Sequence, residues 1–287
     1  MNFIRVTDMT VQDIKRIFTV ADSLRTGGSI TSLSGRTAVM FFPESSIRTR
    51  ITFEKGLHCM GITPILFPSS ALDKREDIAD VTGYIENWAD LLIIRHPSIE
   101  KIESISKYSH IPVINAMTSQ NHPCEILSDI YSIRDRKADF DKLVYTFVGE
   151  NSNILHSWIE ASEILGFRLN HVSLPENEAD DAGKNYSFFT DISDVISETD
   201  VLLTDPLTEK YRNEEYYSKY QITLKILQKG KNDLLFNPCP PFYRGEEVSN
   251  DAIGSSCFVG YSFKKNLLYV QQAIMAYVSE IGRGQLL

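Results

Sequence analysis

"TAVMFFPESSIRTRITFEKG" (Thr37 to Gly56) opens as an apolar run, breaks at a proline, and resumes as an apolar-periodic stretch behind a cluster of hydroxyl and guanidinium groups. The pattern predicts a strand over Thr37 to Phe42 and a helix from about Arg48 to Met60. Between them Ser45 and Ser46 lie in a loop, with Ser46 expected as the helix N-cap. Arg48 and Arg50 fall in the opening turns, where the helix already carries about half a positive charge, so their placement costs energy unless an anion compensates. A phosphate held by Ser46, Arg48, Thr49 and main-chain N–H groups would compensate it, because the guanidinium fork matches phosphate oxygens in pairs. Pairing of the two arginines with Glu44 and Glu54 is the alternative reading.

Outward from this stretch the same alternation repeats. Further strands are expected at Ile62 to Phe67, Leu91 to Arg95, Pro112 to Ala116, Leu143 to Gly149, Arg168 to Leu174, Val201 to Asp205 and Asp233 to Pro238, with a helix from about Ile78 to Trp88. Short apolar runs separated by amphipathic helical stretches favour parallel βαβ units. The expected fold class is therefore α/β: two doubly wound parallel-sheet α/β domains with a cleft between them, since open sheets of this kind bind ligands at the carboxyl ends of their strands. The charged stretch "RDRKADFDK" (Arg134 to Lys142) is the candidate boundary. It gives domains over 1–136 and 137–265, with a C-terminal helix over about 266–287 expected to pack back on the first.

Composition narrows the function. The chain has 287 residues, 43% apolar, and a net charge of −9. An acidic balance argues against a nucleic-acid surface, which needs clustered Lys and Arg, so any anion site is local. No stretch approaches the ~18 apolar residues of a membrane span, and "MNFIRVTDMT" lacks the basic start and apolar core of a secretory signal, so no membrane partner and a cytoplasmic location are expected. The four cysteines, Cys59, Cys124, Cys239 and Cys257, show no C-x-x-C spacing and are expected as reduced thiols, with no metal cage. The stretch "FVGENSNILHSW" has the order of a nucleotide-binding turn but one glycine where the dinucleotide fingerprint needs three, so no cofactor is expected.

Three more stretches carry chemistry: "RHP" (Arg95 to Pro97) at the end of a strand, "HPCEILSD" (His122 to Asp129) opening a helix with Ile126, Leu127, Ile130 and Ile133 on its inward face, and the proline-locked turn "NPCPP" (Asn237 to Pro241). Together with S-x-R-T-R at Ser46 to Arg50, in this order and spacing, they resemble the aspartate/ornithine carbamoyltransferase family. The resemblance spans most of the chain and is strongest before Leu143. It implies a first domain that binds carbamoyl phosphate, a second that binds a small amino-acid substrate, and a homotrimer with active sites shared between subunits. By position, Ser46, Ile47, Arg48, Thr49 and Lys74 would hold the phosphate. Arg95 would reach both the phosphate and the carbonyl oxygen and His122 would donate to that carbonyl, the two forming the catalytic pair, and Glu125, Pro238 and Cys239 would accept from the carbamoyl NH₂. Cys124 is expected to pack rather than to attack.

The resemblance also exposes departures. Ile47 stands for the usual Thr, Glu125 for the usual Gln, and Leu267 for a late arginine on the phosphate, which leaves Lys264 or Lys265 as substitutes. An anionic Glu125 beside an anionic ligand implies protonation, a cation partner or a different ligand. In the second half, Asn153 and Asp205 match residues that bind the amino acid in the ornithine branch, and the arginines of the aspartate branch are missing. Asp205 as a turn residue before Pro206, and Asn153 as a helix cap, are the alternatives. The implied reaction is carbamoyl transfer to ornithine or a related diamino acid, with a place in arginine biosynthesis; the rivals are an aspartate-type enzyme and a non-catalytic binding module.

Overall fold

The computed structural model of the chain describes residues 1–180 and 182–281. By its internal contacts the chain divides into two units, one formed by residues 1–132 with 264 onward, the other by Ile133–Phe263.

In the first unit the order is α1 (Val11–Arg25), β1 (Thr37–Phe41), α2 (Arg48–Cys59), β2 (Thr63–Phe67), α3 (Ile78–Ile85), β3 (Leu91–Arg95), α4 (Ile99–Tyr108), β4 (Val113–Met117) and α5 (Pro123–Arg134). The four strands are parallel in the order β2-β1-β3-β4. Helices cover the inner strands, so β1 and β3 read as unbroken apolar runs, whereas β2 at the edge alternates between exposed and half-buried positions. Because β2 follows β1 on one side and β3 lies on the other, the connections diverge between β1 and β3. That divergence opens a crevice at the carboxyl ends of the two strands.

The second unit runs β5 (Val144–Val148), α6 (Asn153–Leu165), β6 (Arg168–Val172), β7 (Tyr186–Phe189), β8 (Val201–Thr204), α7 (Glu214–Tyr220), α8 (Leu224–Leu227), β9 (Leu235–Pro238) and α9 (Asn250–Ile253). Its parallel sheet has the order β7-β6-β5-β8-β9, so the divergence falls between β5 and β8. Trp158 of α6 packs against Tyr145 and Phe167, with ring centroids 5.3 and 6.1 Å away. Gly166, left-handed at φ 85°, ends α6 where a side chain would be strained.

The chain then returns to the first unit as α10 (Leu267–Ile281), which packs against α1 and α2. Gly56 of α2 permits this approach: a Cβ there would meet Gln272 and Met275 of α10 at 3.1 and 3.2 Å. Residues 282–287 of the expected C-terminal helix lie outside the described residues. Several elements went unanticipated, α4, α7, α8 and α9 among them, and two more have clear reasons. The strand β7 is short and only half-buried, too weak a period to read; α1 carries a capping box, Thr10 with Asp13, that was legible and passed over.

Candidate active site

In the first unit the loop after β1 brings Ser46 to the sheet's crevice, buried, and α2 follows at Arg48. The N-cap is Ile47, in helical conformation and without a side-chain cap, so the expectation of a capping Ser46 is corrected. The Ser46 hydroxyl is engaged elsewhere. Arg95, at the end of β3, donates from one guanidinium nitrogen to Ser46 Oγ at 3.0 Å and to Thr49 Oγ1 at 3.4 Å. Ile47 gives the start of α2 no side-chain cap, and the helix has no acidic residue in its first turn. Arg50 pairs with Glu54 at 2.8 Å, as the alternative reading had it, but Arg48 stands exposed at the helix start with no ion pair among the described residues.

Beside Arg95 a cavity of about 210 Å³ opens, lined by Pro43, Ser69, Arg95, His96, Thr118 and Ser119. The turn Ser69–Asp73 begins at its wall. Asp73 accepts from His96 Nε2 at 3.0 Å and from the Lys101 ammonium, and both keep its carboxyl below the usual range. Lys74 follows this anchored turn, exposed, and makes no ion pair among the described residues.

His122 precedes α5 and is buried. Burial pushes its imidazole down to about 4, Glu125 opposing and Arg95 and Lys264 reinforcing, so at neutral pH it is an uncharged ring with one N–H to donate. Burial also lowers Arg95, with Glu125 opposing, though a guanidinium stays charged at any physiological pH. The inward face of α5 is buried as the periodicity predicts, and Cys124, whose thiol burial pushes well above its ordinary value, donates to the Asn115 carbonyl. It is no nucleophile.

Glu125, buried in the first turn of α5, accepts from the Lys264 ammonium at 2.7 Å; the same ammonium reaches both oxygens of Asp129, at 2.6 and 2.8 Å. Burial alone would raise Glu125, but Lys264, His122 and Arg48 outweigh it and hold the carboxyl below its usual range. Of the three possibilities left open by the sequence, the structure has the cation partner.

In the second unit, Asn153 is the first residue of α6, and the cap is Ser152, whose side chain accepts from Leu155 N; the alternative of a capping Asn153 is set aside. Asp205 follows β8 directly, and Cys239 follows β9, its N–H donating to the Thr204 carbonyl at 2.8 Å. Pro238 and Cys239 are both buried. Burial pushes Asp205 up to about 7, against hydrogen bonds from Ser152 and Cys239, and with Glu150 and Glu247 adding repulsion. Glu247 is likewise raised to about 7, mainly by burial; one oxygen accepts from Tyr243 N and the other is buried with no partner among the described residues. Nothing in "RGEEVSN" marks Glu247 as buried: the stretch reads as a surface turn. Asp129, Ser152 and Glu247 are thus additions from the structure.

Comparison with known proteins agrees on both halves. Residues 1–135 match the model for the carbamoyl-phosphate-binding domain of aspartate/ornithine carbamoyltransferases, and 141–278 match the model for the Asp/Orn-binding domain. The ornithine carbamoyltransferase of Psychrobacter cryohalolentis is 30% identical over 295 residues, 96% of each chain. That of Paracidovorax citrulli is 31% identical over 86% of this chain and 84% of its own. Among solved structures, the ornithine carbamoyltransferase of Pyrococcus furiosus superposes with a TM-score of 0.88 at 26% identity over 96% of each chain, and that of Burkholderia thailandensis with 0.88 at 25% identity over 96% and 98%.

Proposed function

The chain belongs to the aspartate/ornithine carbamoyltransferase family, and on that premise we propose that it transfers the carbamoyl group of carbamoyl phosphate to the δ-amine of ornithine. The observation that carries the donor half is Arg95 bonded to the Ser46 and Thr49 hydroxyls at an uncapped helix start. Ser46, Ile47, Arg48 and Thr49 offer hydroxyls, a guanidinium and main-chain N–H groups to a phosphate, the combination that anions find at helix N-termini. The neutral amine attacks the carbamoyl carbon and the C–N bond forms; the bond from that carbon to the phosphate oxygen breaks, and the departing phosphate takes the proton that nitrogen loses. Charge gathers on the carbonyl oxygen, where Arg95 and His122 donate; one such donor is commonly worth ~10²- to 10³-fold in rate. Pro238 and Cys239 offer main-chain carbonyls to the carbamoyl NH₂.

For the acceptor, Asn153 and Asp205 would hold the α-amino-acid end. A carboxyl resting near 7 with no cation beside it gains most from an ammonium, which favours ornithine over aspartate. The working form is read as a homotrimer. Ile47, Ile51, Ile65, Phe67, Tyr84 and Trp88 are all exposed on the first unit, apolar surface that a neighbouring subunit would cover, and Lys74 on its anchored turn could reach a neighbour's phosphate. No helix of the described residues is long and apolar enough to cross a membrane. The place read for the reaction is arginine biosynthesis in the cytoplasm.

The test is phosphate release from carbamoyl phosphate with a panel of amines. Release with ornithine and not with aspartate is expected. Release with aspartate alone overturns the acceptor, and none with any amine overturns the enzyme. Arg48→Ala should weaken donor binding severely; unchanged kinetics refute its role.

A further inference from the structure

We propose that Lys264 is a positioning residue of the donor site, which fixes Glu125 as a charged acceptor for the carbamoyl NH₂ group; the inference rests on the donor reading above. Glu125 and Asp129 lie one turn apart on α5 and so present both carboxylates to one side. Lys264, the first residue after the chain's return from the second unit, places its ammonium against them, and its three N–H donors match three oxygens at 2.6 to 2.8 Å. Two anions on one cation hold the ammonium to α5. It is therefore not the substitute for the missing phosphate-binding arginine.

The pairing decides what Glu125 can do. A glutamine at this position accepts through its amide oxygen whatever the pH, and needs no cation. A buried glutamate serves the same end only when ionised, because its protonated form places an O–H donor where the ligand also brings N–H donors. Lys264 occupies Oε1, and among the described residues Oε2 receives no hydrogen bond, which leaves it for the ligand. The charged groups that act on Glu125 are Lys264, His122, Arg48 and Arg95, with Asp129 across the ammonium; the neighbouring Cys124 thiol is neutral. Of these, Lys264 alone bonds to it. Without Lys264, the largest influence that opposes burial is gone, and the carboxyl is held ionised less firmly.

The experiment measures the KM for carbamoyl phosphate between pH 6 and 8 in the full-length chain, Lys264→Met, Glu125→Gln/Lys264→Met, and the single variants Glu125→Gln and Glu125→Leu. Lys264→Met is expected to gain a KM that climbs at least about tenfold as pH falls from 8 to 6, and Glu125→Gln in the same chain to abolish the slope. A loss equal at every pH that persists with Glu125→Gln overturns the proposal, since Lys264 would then act on the phosphate or on the fold. Should Lys264→Met fail to fold, the single variants decide: Glu125→Leu at least about tenfold worse in donor KM than Glu125→Gln supports an acceptor, and equal values overturn it. A wild-type chain that transfers carbamoyl to no amine is a different result, and removes the donor reading itself.

Discussion

The two crevices are built on the same plan and charged in opposite senses. Each lies where strand connections diverge, between β1 and β3 in one unit and between β5 and β8 in the other. In the first, a carboxyl is pulled down by cations, a histidine is held neutral, and Arg95 is tied to two hydroxyls. In the second, Asp205 and Glu247 are pushed up to about 7, with no cation bonded to either among the described residues. The shared switch point thus fixes where a ligand sits, and the side chains at the strand ends fix the sign of its charge. A site whose acids rest half-protonated is one that a cationic ligand completes.

The comparison can be broken most easily at Arg95. Arg95→Ala should cost ~10²- to 10³-fold in kcat through the lost oxyanion donor, and steady-state phosphate release reads it. A loss confined to KM would make Arg95 a phosphate clamp alone. Next in size, Asp205→Asn should raise the acceptor KM roughly 10- to 100-fold, the worth of a hydrogen bond to a charged group, and leave the donor KM alone. In the parent chain the acceptor binds better as pH rises through about 7, because Asp205 must ionise to hold an ammonium; Asp205→Asn should erase that step.

A stability measurement sharpens the contrast without any substrate. Glu247 has a folded pKa near 7, above its unfolded value of about 4.5, so the folded chain holds the extra proton between the two. The empty protein therefore loses stability as pH rises from about 4.5 to 7 and levels off above. Glu247→Gln should remove its share of that slope, Asp205 keeping its own, and gain about 2–3 kcal/mol at pH 8 over the parent, at roughly 1.4 kcal/mol per pKa unit, with the gain gone below pH 5. Denaturant melts across pH check it; a gain that is the same at every pH would assign Glu247 no titration. The smallest effect belongs to Ile47→Thr. It adds a hydroxyl at a position 65% exposed, and should lower the donor KM by no more than a few-fold.

Legibility in the sequence follows the range of the interactions. The strand ends and the groups on them were readable because Ser46, Arg48 and Thr49 share one loop and Arg95 ends an apolar run. The parallel α/β architecture followed from the same local alternation. What was hidden depended on distance or burial. Lys264 and Glu125 are 139 positions apart, and the sequence could only pose Glu125 as a charge in need of an answer. Ser46 has every property of a cap, yet a guanidinium from β3 claims its hydroxyl and the helix begins one residue later. Glu247 hid in a turn that any surface could carry.

Gly56 gives α10 its seat on α2, and Lys264 gives Glu125 its partner; both contacts wait on the last stretch of the polypeptide. As a nascent chain leaves the ribosome, the residues proposed to bind the donor emerge first, yet about 130 more must follow before their missing helix arrives. At ordinary elongation rates of 5–20 residues per second that delay is of order ten seconds. The intervening unit can fold in that interval, so the part made first is completed last, and a truncation before Lys264 would strip the donor half while sparing the acceptor half.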